Sequence, residues 1–338
     1  MKIITTTGFY GTGSSAITDI LSEYKNITCK GDFEVRIAHD PYGISDLEYN
    51  IIENPNRHNS SNAIKKFIKL KKRLANPNFA RQYENYFNNM FTKITDEYIG
   101  NLYEFSYKGQ WHYDLIERGD IFYFTSRLYN KILRILKKFI GICNDVNHNF
   151  LPKNELAYLT ISDEKIFLSS TIKFFDKLFS QLNDSDDAIV MIDQLVPPSN
   201  IARYERYFSN ISTIVVERDP RDIYLLEKIF WKGKVVPHYD VEIFCKWYEW
   251  TRNQYESSNK GKSIKIQFED LIYNYNGTVK KIENYLDIDS TEHTMSFKKF
   301  DPKISIKNTQ LWKQYPQYND NIQYIQNRLA KYCYNFEK

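Results

Sequence analysis

The sequence predicts an α/β fold: a three-layer domain with a parallel sheet and a large helical insertion. Three observations predict it. A strand, a glycine-rich turn and a helix open the chain, and short apolar strands alternate with helices again after residue 186. Between residues 56 and 185 the apolar residues instead follow helical spacing. Strands that alternate with helices normally form a parallel sheet covered by helices on both faces.

The opening unit is a predicted phosphate cradle. Residues 2–7 are rich in β-branched side chains and predict a strand, and residues 16–21 have helical spacing. Gly8 and Gly13 match the spacing of a P-loop, but Ser14 stands where that pattern has its lysine. Glycines let the backbone approach an anion, and the free N–H groups of a first helical turn point at it. The alternative is a tight turn without a ligand.

Local patterns predict the remaining elements. A second strand precedes a polar loop, helical spacing defines the insertion, and short apolar runs mark the later strands. The α/β part comprises residues 1–55 and 186–338, and the insertion comprises residues 56–185. Further strands are predicted at residues 26–29, 188–193, 212–217 and 263–268, insertion helices around residues 64–72, 132–140 and 172–179, and later helices at residues 202–208, 223–230, 241–256, 278–286 and 322–332.

Composition narrows the class of protein. The 338 residues carry 46 basic and 42 acidic side chains, a balance that does not favour a nucleic-acid partner. The cysteines are far apart, so we expect free thiols rather than disulfides or a zinc site; they are Cys29, Cys143, Cys245 and Cys333. The histidines are isolated, and no ligand set for a metal is evident. Without a long apolar run or a signal peptide, we expect a cytoplasmic protein with no transmembrane segment.

A second strand end also carries candidate binding residues. Residues 218–222 read Arg-Asp-Pro-Arg-Asp and follow a predicted buried strand. Ligands of parallel sheets bind beyond the carboxyl ends of strands, and an arginine there can grip a phosphate with two hydrogen bonds. We therefore consider Arg218 a phosphate ligand, with Asp222 as a cap of the next helix. The alternative is that Arg218 pairs with Asp219 or Asp222 in a structural corner.

Four segments, in this order, resemble the motifs of sulfotransferases that use 3′-phosphoadenosine-5′-phosphosulfate (PAPS). Residues 10–15 resemble the loop for the 5′-phosphosulfate, and residues 214–222 resemble the motif for the 3′-phosphate. Residues 266–286 resemble the Glu-Asp-Leu segment with its following helix, and residues 305–313 resemble the late Ser-Asn-Trp-Lys segment. The chain is thus identified as resembling a divergent, bacterial-type carbohydrate sulfotransferase. The resemblance does not cover residues 55–185.

The resemblance implies transfer of a sulfuryl group from PAPS to a hydroxyl of a carbohydrate or another small acceptor, without a metal. The insertion would bind the acceptor. Arg218 would hold the 3′-phosphate, and Lys307 lies in the late segment. The residues implied to bind the donor are Gly11, Thr12, Gly13, Ser14, Ser15, Arg218 and Lys307.

Two positions depart from the family pattern. Gly11 stands where the family usually has a lysine or arginine, and Leu226 stands where its 3′-phosphate motif usually has a serine. Three explanations remain open. Another cation substitutes, the donor differs from PAPS, or the chain is a non-catalytic relative. The candidate cations are Arg36, Lys232 and Lys307.

The catalytic base should lie between the cradle and the acceptor, and the second strand of the α/β part is the place for it. We favour Glu34, followed by His39 and Asp40. The alternative for Glu34 is an ion pair with Arg36 or Lys30. Asp193 is a second candidate for contact with the acceptor.

Two other functions remain open. A transferase or kinase that uses another phosphate-bearing nucleotide could have the same cradle, although the missing P-loop lysine counts against ATP. A non-catalytic nucleotide-binding protein could keep the fold without the reaction.

Overall fold

The computed structural model describes residues 1–76, 78, 82–109, 117–140, 156–183, 185, 188–233, 235–258 and 261–337. Cys143 lies outside these ranges, as do parts of the predicted insertion.

A five-stranded parallel sheet forms the centre of the molecule. Its strands lie in the order β2-β5-β1-β6-β7. They are β1 (Lys2–Gly8), β2 (Ile27–Glu34), β5 (Ile189–Asp193), β6 (Ile211–Glu217) and β7 (Ser263–Gln267). Two further strands, β3 (Tyr103–Lys108) and β4 (Leu156–Thr160), form a separate antiparallel pair.

Helices cover both faces of the sheet. They are α1 (Ser15–Leu21), α2 (Ile44–Glu48), α3 (Arg57–Ala75), α4 (Tyr83–Tyr86), α5 (Phe91–Gly100), α6 (Asp120–Phe139), α7 (Glu164–Phe179), α8 (Ile201–Glu205), α9 (Pro220–Leu225), α10 (Val241–Ser258), α11 (Asp270–Tyr273), α12 (Tyr275–Leu286), α13 (Pro302–Ser305) and α14 (Asn319–Arg328). A π-helical turn, Leu226–Trp231, continues α9.

The three layers follow from the period of the strands. Neighbouring side chains of a strand point to opposite faces of the sheet. In β1, Ile3 packs into a core with α3, α5 and α7, whereas Ile4 packs into a second core with α1 and α12. In β5, Val190 packs into the first of these cores and Met191 packs into the second. Both faces are therefore buried, as the continuous apolar runs of these strands predict.

The predicted α/β fold with a parallel sheet is confirmed. The antiparallel pair β3 and β4 was not predicted, because its strands are short and mostly exposed and lack a buried apolar face. The helix predicted at residues 223–230 is an α-helix only from Pro220 to Leu225 and then widens into the π-helical turn. In the part of the chain that the structure describes, no helix is long and apolar enough to cross a membrane.

The parallel topology brings the carboxyl ends of the strands to one edge of the sheet. β1 ends at Gly8, β2 at Glu34, β5 at Asp193 and β6 at Glu217. The loops that follow these four ends are therefore neighbours, which positions the site described below.

The insertion and the sheet should unfold together, because they share a core. Phe175 of α7 is fully buried and packs on Phe208, which precedes β6. Phe175→Ala is expected to lower the free energy of unfolding by about 3–5 kcal/mol. Phe105→Ala, at an exposed insertion residue, should change it by less than about 0.5 kcal/mol. Urea denaturation followed by circular dichroism checks this, and two separate transitions in the wild type would contradict it.

Candidate active site

A cavity of about 510 Å³ opens at the carboxyl edge of the sheet. Its walls come from four segments that follow strand ends or lie on α10. The residues lining it are Gly8, Phe9, Tyr10, Gly11, Thr12, Gly13, Ser14, Glu34, Arg36, His39, Gln194, Pro197, Pro198, Ser199, Trp247, Trp250, Thr251 and Gln254. The structure thus brings the predicted cradle together with both predicted bases, Glu34 and His39.

The loop after β1 has the backbone of an anion cradle. Tyr10, Gly11 and Gly13 all have positive φ angles. Among the described residues, no protein group accepts a hydrogen bond from the backbone N–H of any residue from 10 to 14. Such successive, unpaired N–H groups form a concave site for an anion. Ser15 begins α1 and is not among the residues that line the cavity.

Gly11 cannot readily be replaced by a long cation. Its φ is +74°, and a Cβ atom added there would lie 3.1 Å from the Trp231 ring. Its carbonyl accepts a hydrogen bond from Nη1 of Arg218 at 3.3 Å. The backbone conformation at this position therefore favours glycine over a lysine or an arginine.

Gln194 joins the cradle to the other walls, and sequence reasoning missed it. Its side chain donates to Oγ of Ser14 at 3.0 Å and accepts from Oγ1 of Thr7 at 3.3 Å. Its carbonyl accepts from Nε2 of His39 at 2.9 Å. Its φ of 52° turns the chain at the end of β5. Its place directly after a buried strand was the signal that could have found it.

Arg36 is the one lysine or arginine among the described residues that line the cavity. Its Nε atom lies 3.0 Å from Asp40, and its Nη1 atom lies 3.7 Å from Glu34. Asp40, Tyr10 and Glu34 raise the pKa of Arg36, and they outweigh burial, which is the largest single influence and lowers it. Of the three candidate cations, Arg36, Lys232 and Lys307, Arg36 is the one that lines the cavity together with the cradle residues.

The two predicted bases differ in their surroundings. Glu34 ends β2, and its side chain is half exposed with Arg36 at the long distance given above. The ion pair considered from the sequence is therefore present, but Glu34 still lines the cavity. His39 donates through Nε2 to the carbonyl of Gln194, since a carbonyl only accepts, and this hydrogen bond orients the ring.

Arg218 lies behind the cradle rather than in the cavity wall. It is 4% exposed, and its guanidinium donates to the carbonyls of Gly11 and Asn308 and stacks on the ring of Phe268 at 4.5 Å. Its Nε atom has no hydrogen-bond partner among the described residues. Lys307 precedes Asn308 and is exposed. Arg218 thereby ties the cradle to the segment that carries Lys307.

Three buried carboxylates surround this arginine. Asp219, not Asp222, caps α9, by accepting from the N–H of Arg221 at 2.9 Å. The predicted cap was therefore wrong: Asp222 instead accepts from the N–H groups of Gln310 and Leu311. Glu269 accepts from the N–H of Asp219 at 2.9 Å. Residues from three distant segments are thus held around the end of β6.

Burial raises the pKa of two of these carboxyls, Asp222 and Glu269. Loss of hydration raises the pKa of Asp222 to about 7 and that of Glu269 to about 8. Burial lowers the pKa of Arg218. The nearby carboxyls of Asp222, Glu269 and Asp219 raise it, but they do not fully offset the effect of burial. One Glu269 oxygen, Oε2, is buried without a hydrogen-bond partner among the described residues.

Helix α10 supplies an aromatic wall. Trp247 and Trp250 line the cavity with Thr251 and Gln254, and Trp250 is 62% exposed. Arg252 fixes this helix to the sheet: it is 1% exposed, pairs with Glu217 of β6 at 2.9 Å and lies between two aromatic rings. No sequence motif marked these residues.

The remaining predicted residues lie away from the cavity. Asp193 is buried, and the hydroxyl of Thr6 donates to it at 2.7 Å, so it supports the sheet edge. Leu226 is buried in an apolar core, so no hydroxyl replaces the serine of the family motif. Lys232 and every described residue of 56–185 are absent from the cavity lining. A role of the insertion in acceptor binding stays a prediction. Within the described ranges, no group of three histidine, cysteine or acidic residues could hold a metal.

Comparisons with known proteins give weak structural likeness. No protein-family model matches the chain, and no curated protein matches its sequence. The sulfotransferase domain of a Synechococcus olefin synthase gives a TM-score of 0.39 at 9% identity, covering 93% of this chain and 82% of that one. The sulfotransferase domain of the curacin biosynthetic pathway gives 0.38 at 10% identity, covering 89% and 78%. A Mycobacterium tuberculosis sulfotransferase gives 0.34 at 11%, covering 91% and 76%. These scores are too low to transfer a reaction or a residue's role to this chain.

The raised pKa of Glu269 predicts a pH-dependent stability. A carboxyl whose pKa is higher in the folded chain than in the unfolded chain stabilises the fold at low pH and loses that effect as the pH rises to about 8. Between pH 5 and pH 8, Glu269→Gln should lose less free energy of unfolding than the wild type, by at least about 1.4 kcal/mol. Denaturant titrations check this, with exposed Glu104→Gln as the control. Parallel curves for wild type and Glu269→Gln would contradict it.

Proposed function

We propose that this chain is a sulfotransferase that moves a sulfuryl group from PAPS to a hydroxyl of a carbohydrate or another small acceptor. One observation carries the proposal: Tyr10 to Ser14, five successive residues whose backbone N–H groups have no acceptor among the described residues, line one cavity together with Arg36. Sulfuryl transfer, like phosphoryl transfer, needs such donors around the transferring group and the leaving phosphate. The resemblance of four segments of the sequence to sulfotransferase motifs also supports the proposal.

The cradle would hold the 5′-phosphosulfate. The N–H groups of residues 10–14 need an acceptor, and Gln194 holds the hydroxyl of Ser14 at the cavity wall. Arg36 would supply the positive charge that the glycine at position 11 cannot carry. Its guanidinium keeps its charge at any working pH, and Asp40 fixes its direction.

Two cations would serve the 3′-phosphate. We propose that the exposed ammonium of Lys307 contacts it, and that Arg218 contributes its charge and holds Lys307's segment against the cradle. The hydrogen bonds that Arg218 donates to Gly11 and Asn308 support this division of roles. Substitution of Arg218 should then affect the whole donor site, and substitution of Lys307 only the 3′-phosphate.

Glu34 would be the catalytic base, with His39 as the second candidate. Its carboxylate lies in the cavity near Arg36, so the acceptor hydroxyl can approach it beside the transferring group. His39 is favoured less, because its Nε2 atom already donates to Gln194. The indoles of Trp247 and Trp250 would stack on a sugar ring, and Thr251 and Gln254 would hydrogen-bond its hydroxyls.

Binding of product nucleotides tests the donor site. Calorimetry should give micromolar binding of 3′,5′-ADP, and weaker binding of ATP with Mg²⁺, to the wild type. Lys307→Ala should weaken 3′,5′-ADP about tenfold but leave 5′-AMP unchanged, because only the former has the 3′-phosphate. Arg218→Lys should weaken both. The control is Lys303→Ala, at an exposed lysine of α13. Failure of the wild type to bind 3′,5′-ADP would refute the proposed function.

Kinetics of conservative variants test the base. With PAPS and an acceptor found by screening carbohydrates, Glu34→Gln should lower kcat about 100-fold or more with little change in KM, since the amide cannot take the proton. His39→Gln should lose less activity. The opposite order of the two variants would make His39 the base.

A further inference from the structure

Helix α6 (Asp120–Phe139) turns its apolar side to solvent and buries polar residues, the reverse of a helix that packs on a soluble core. Its two buried residues are polar, Ser126 and Asn130. Its large apolar side chains are exposed instead: Ile121, Phe124, Leu128, Ile132, Ile135, Leu136 and Phe139. Ile121 and Phe139, at the two ends, are 83% and 86% exposed. Burial of an apolar stripe normally decides which face of a helix turns inward, and here that stripe is turned outward.

The exposed side chains form one continuous stripe. At about 100° per residue, these positions fall on one side of the helix, and Ser126 and Asn130 fall on the opposite side. The helix has 20 residues, so the stripe extends over about 30 Å. Exposed apolar surfaces of this extent in a folded chain mark sites of contact with a partner or a membrane.

The charges of α6 select the partner. The helix carries five basic side chains and one acidic one, Asp120, which is its first residue. Four of the basic residues, Arg127, Lys131, Arg134 and Lys138, recur at spacings of three or four and lie along one edge of the apolar stripe. A long apolar stripe with a basic edge is typical of helices that lie in the surface of an anionic bilayer.

A second exposed apolar surface lies in the same insertion. In the antiparallel pair β3 and β4, Phe105 is opposite Leu159, and Tyr107 shares their face. All three side chains are exposed. The insertion therefore presents exposed apolar side chains from a helix and from a two-stranded sheet.

We propose that α6 binds the chain to the surface of an anionic phospholipid bilayer. The helix would lie in the plane of the interface with its apolar stripe among the acyl chains and its basic edge at the lipid phosphates. A second copy of the chain suits the helix less. In an antiparallel symmetric pair the two basic edges would adjoin, and the helix of each copy offers one carboxylate, Asp120, against five basic side chains. This proposal does not depend on the reaction proposed above.

Vesicle flotation with the full chain tests the proposal. The wild type should float with phosphatidylcholine vesicles that contain about 30 mol % phosphatidylglycerol, bind pure phosphatidylcholine vesicles at least tenfold more weakly, and dissociate as salt rises. Ile132→Asp should reduce binding at least tenfold. The matched control is Ile166→Asp, an exposed isoleucine of α7 outside the stripe, which should bind like the wild type.

Charge reversal gives the second arm of the experiment. Lys131→Glu/Lys138→Glu should weaken binding to the anionic vesicles at least tenfold, whereas Lys69→Glu/Lys72→Glu, the same charge change on α3, should not. Thermal melts confirm that each variant is folded. The proposal is overturned if the folded wild type does not float, if the control variants lose as much binding as the α6 variants, or if light scattering shows a dimer that Ile132→Asp converts to a monomer.

Discussion

The guanidinium of Arg218 is the contact on which the candidate site depends. It is almost completely buried at the end of β6 and donates to two carbonyls from opposite parts of the chain, those of Gly11 and Asn308. A buried cation needs nearby acceptors and carboxyls, and Asp222, Glu269 and Asp219 all favour the charged form of Arg218. Because those carboxyls also hold backbone N–H groups at residues 310, 311 and 219, the arginine, the cradle and the carboxyl-terminal segment form one unit.

The same group of contacts accounts for a glycine, rather than a lysine or an arginine, at position 11 of the cradle. The carbonyl of Gly11 turns to Arg218, and this requires a positive φ that a long side chain would not tolerate well next to Trp231. Among the described residues, no protein group accepts from the N–H groups of residues 10–14, and Arg36 lines the same cavity from the loop after β2. Under the proposed function the cation would thus come from a different strand, and Asp40 and Glu34 hold it at the cavity.

The sequence predicted the features that depend on residues close together in the chain. The five strands of the parallel sheet and the glycine-rich loop at residues 8–15 follow from apolar runs and glycines, but the second strand, predicted at residues 26–29, extends to Glu34. The sequence patterns did not predict contacts between distant segments. The link from Gln194 to Ser14 joins residues 180 positions apart, and the aromatic wall of α10 looks like an ordinary amphipathic helix in the sequence. The inverted face of α6 was equally hidden, because its spacing alone predicts a helix but not which side is buried.

A crystal structure of the chain with 3′,5′-ADP tests the central claim most directly. The account predicts the 5′-phosphate within about 3 Å of the N–H groups of residues 11–14, with the guanidinium of Arg36 turned toward the phosphate and Arg218 still bound to Gly11. A nucleotide bound outside this cavity would contradict the account. So would a 5′-phosphate in the cradle with Arg36 directed away from it, because the charge that the glycine cannot supply would then come from elsewhere.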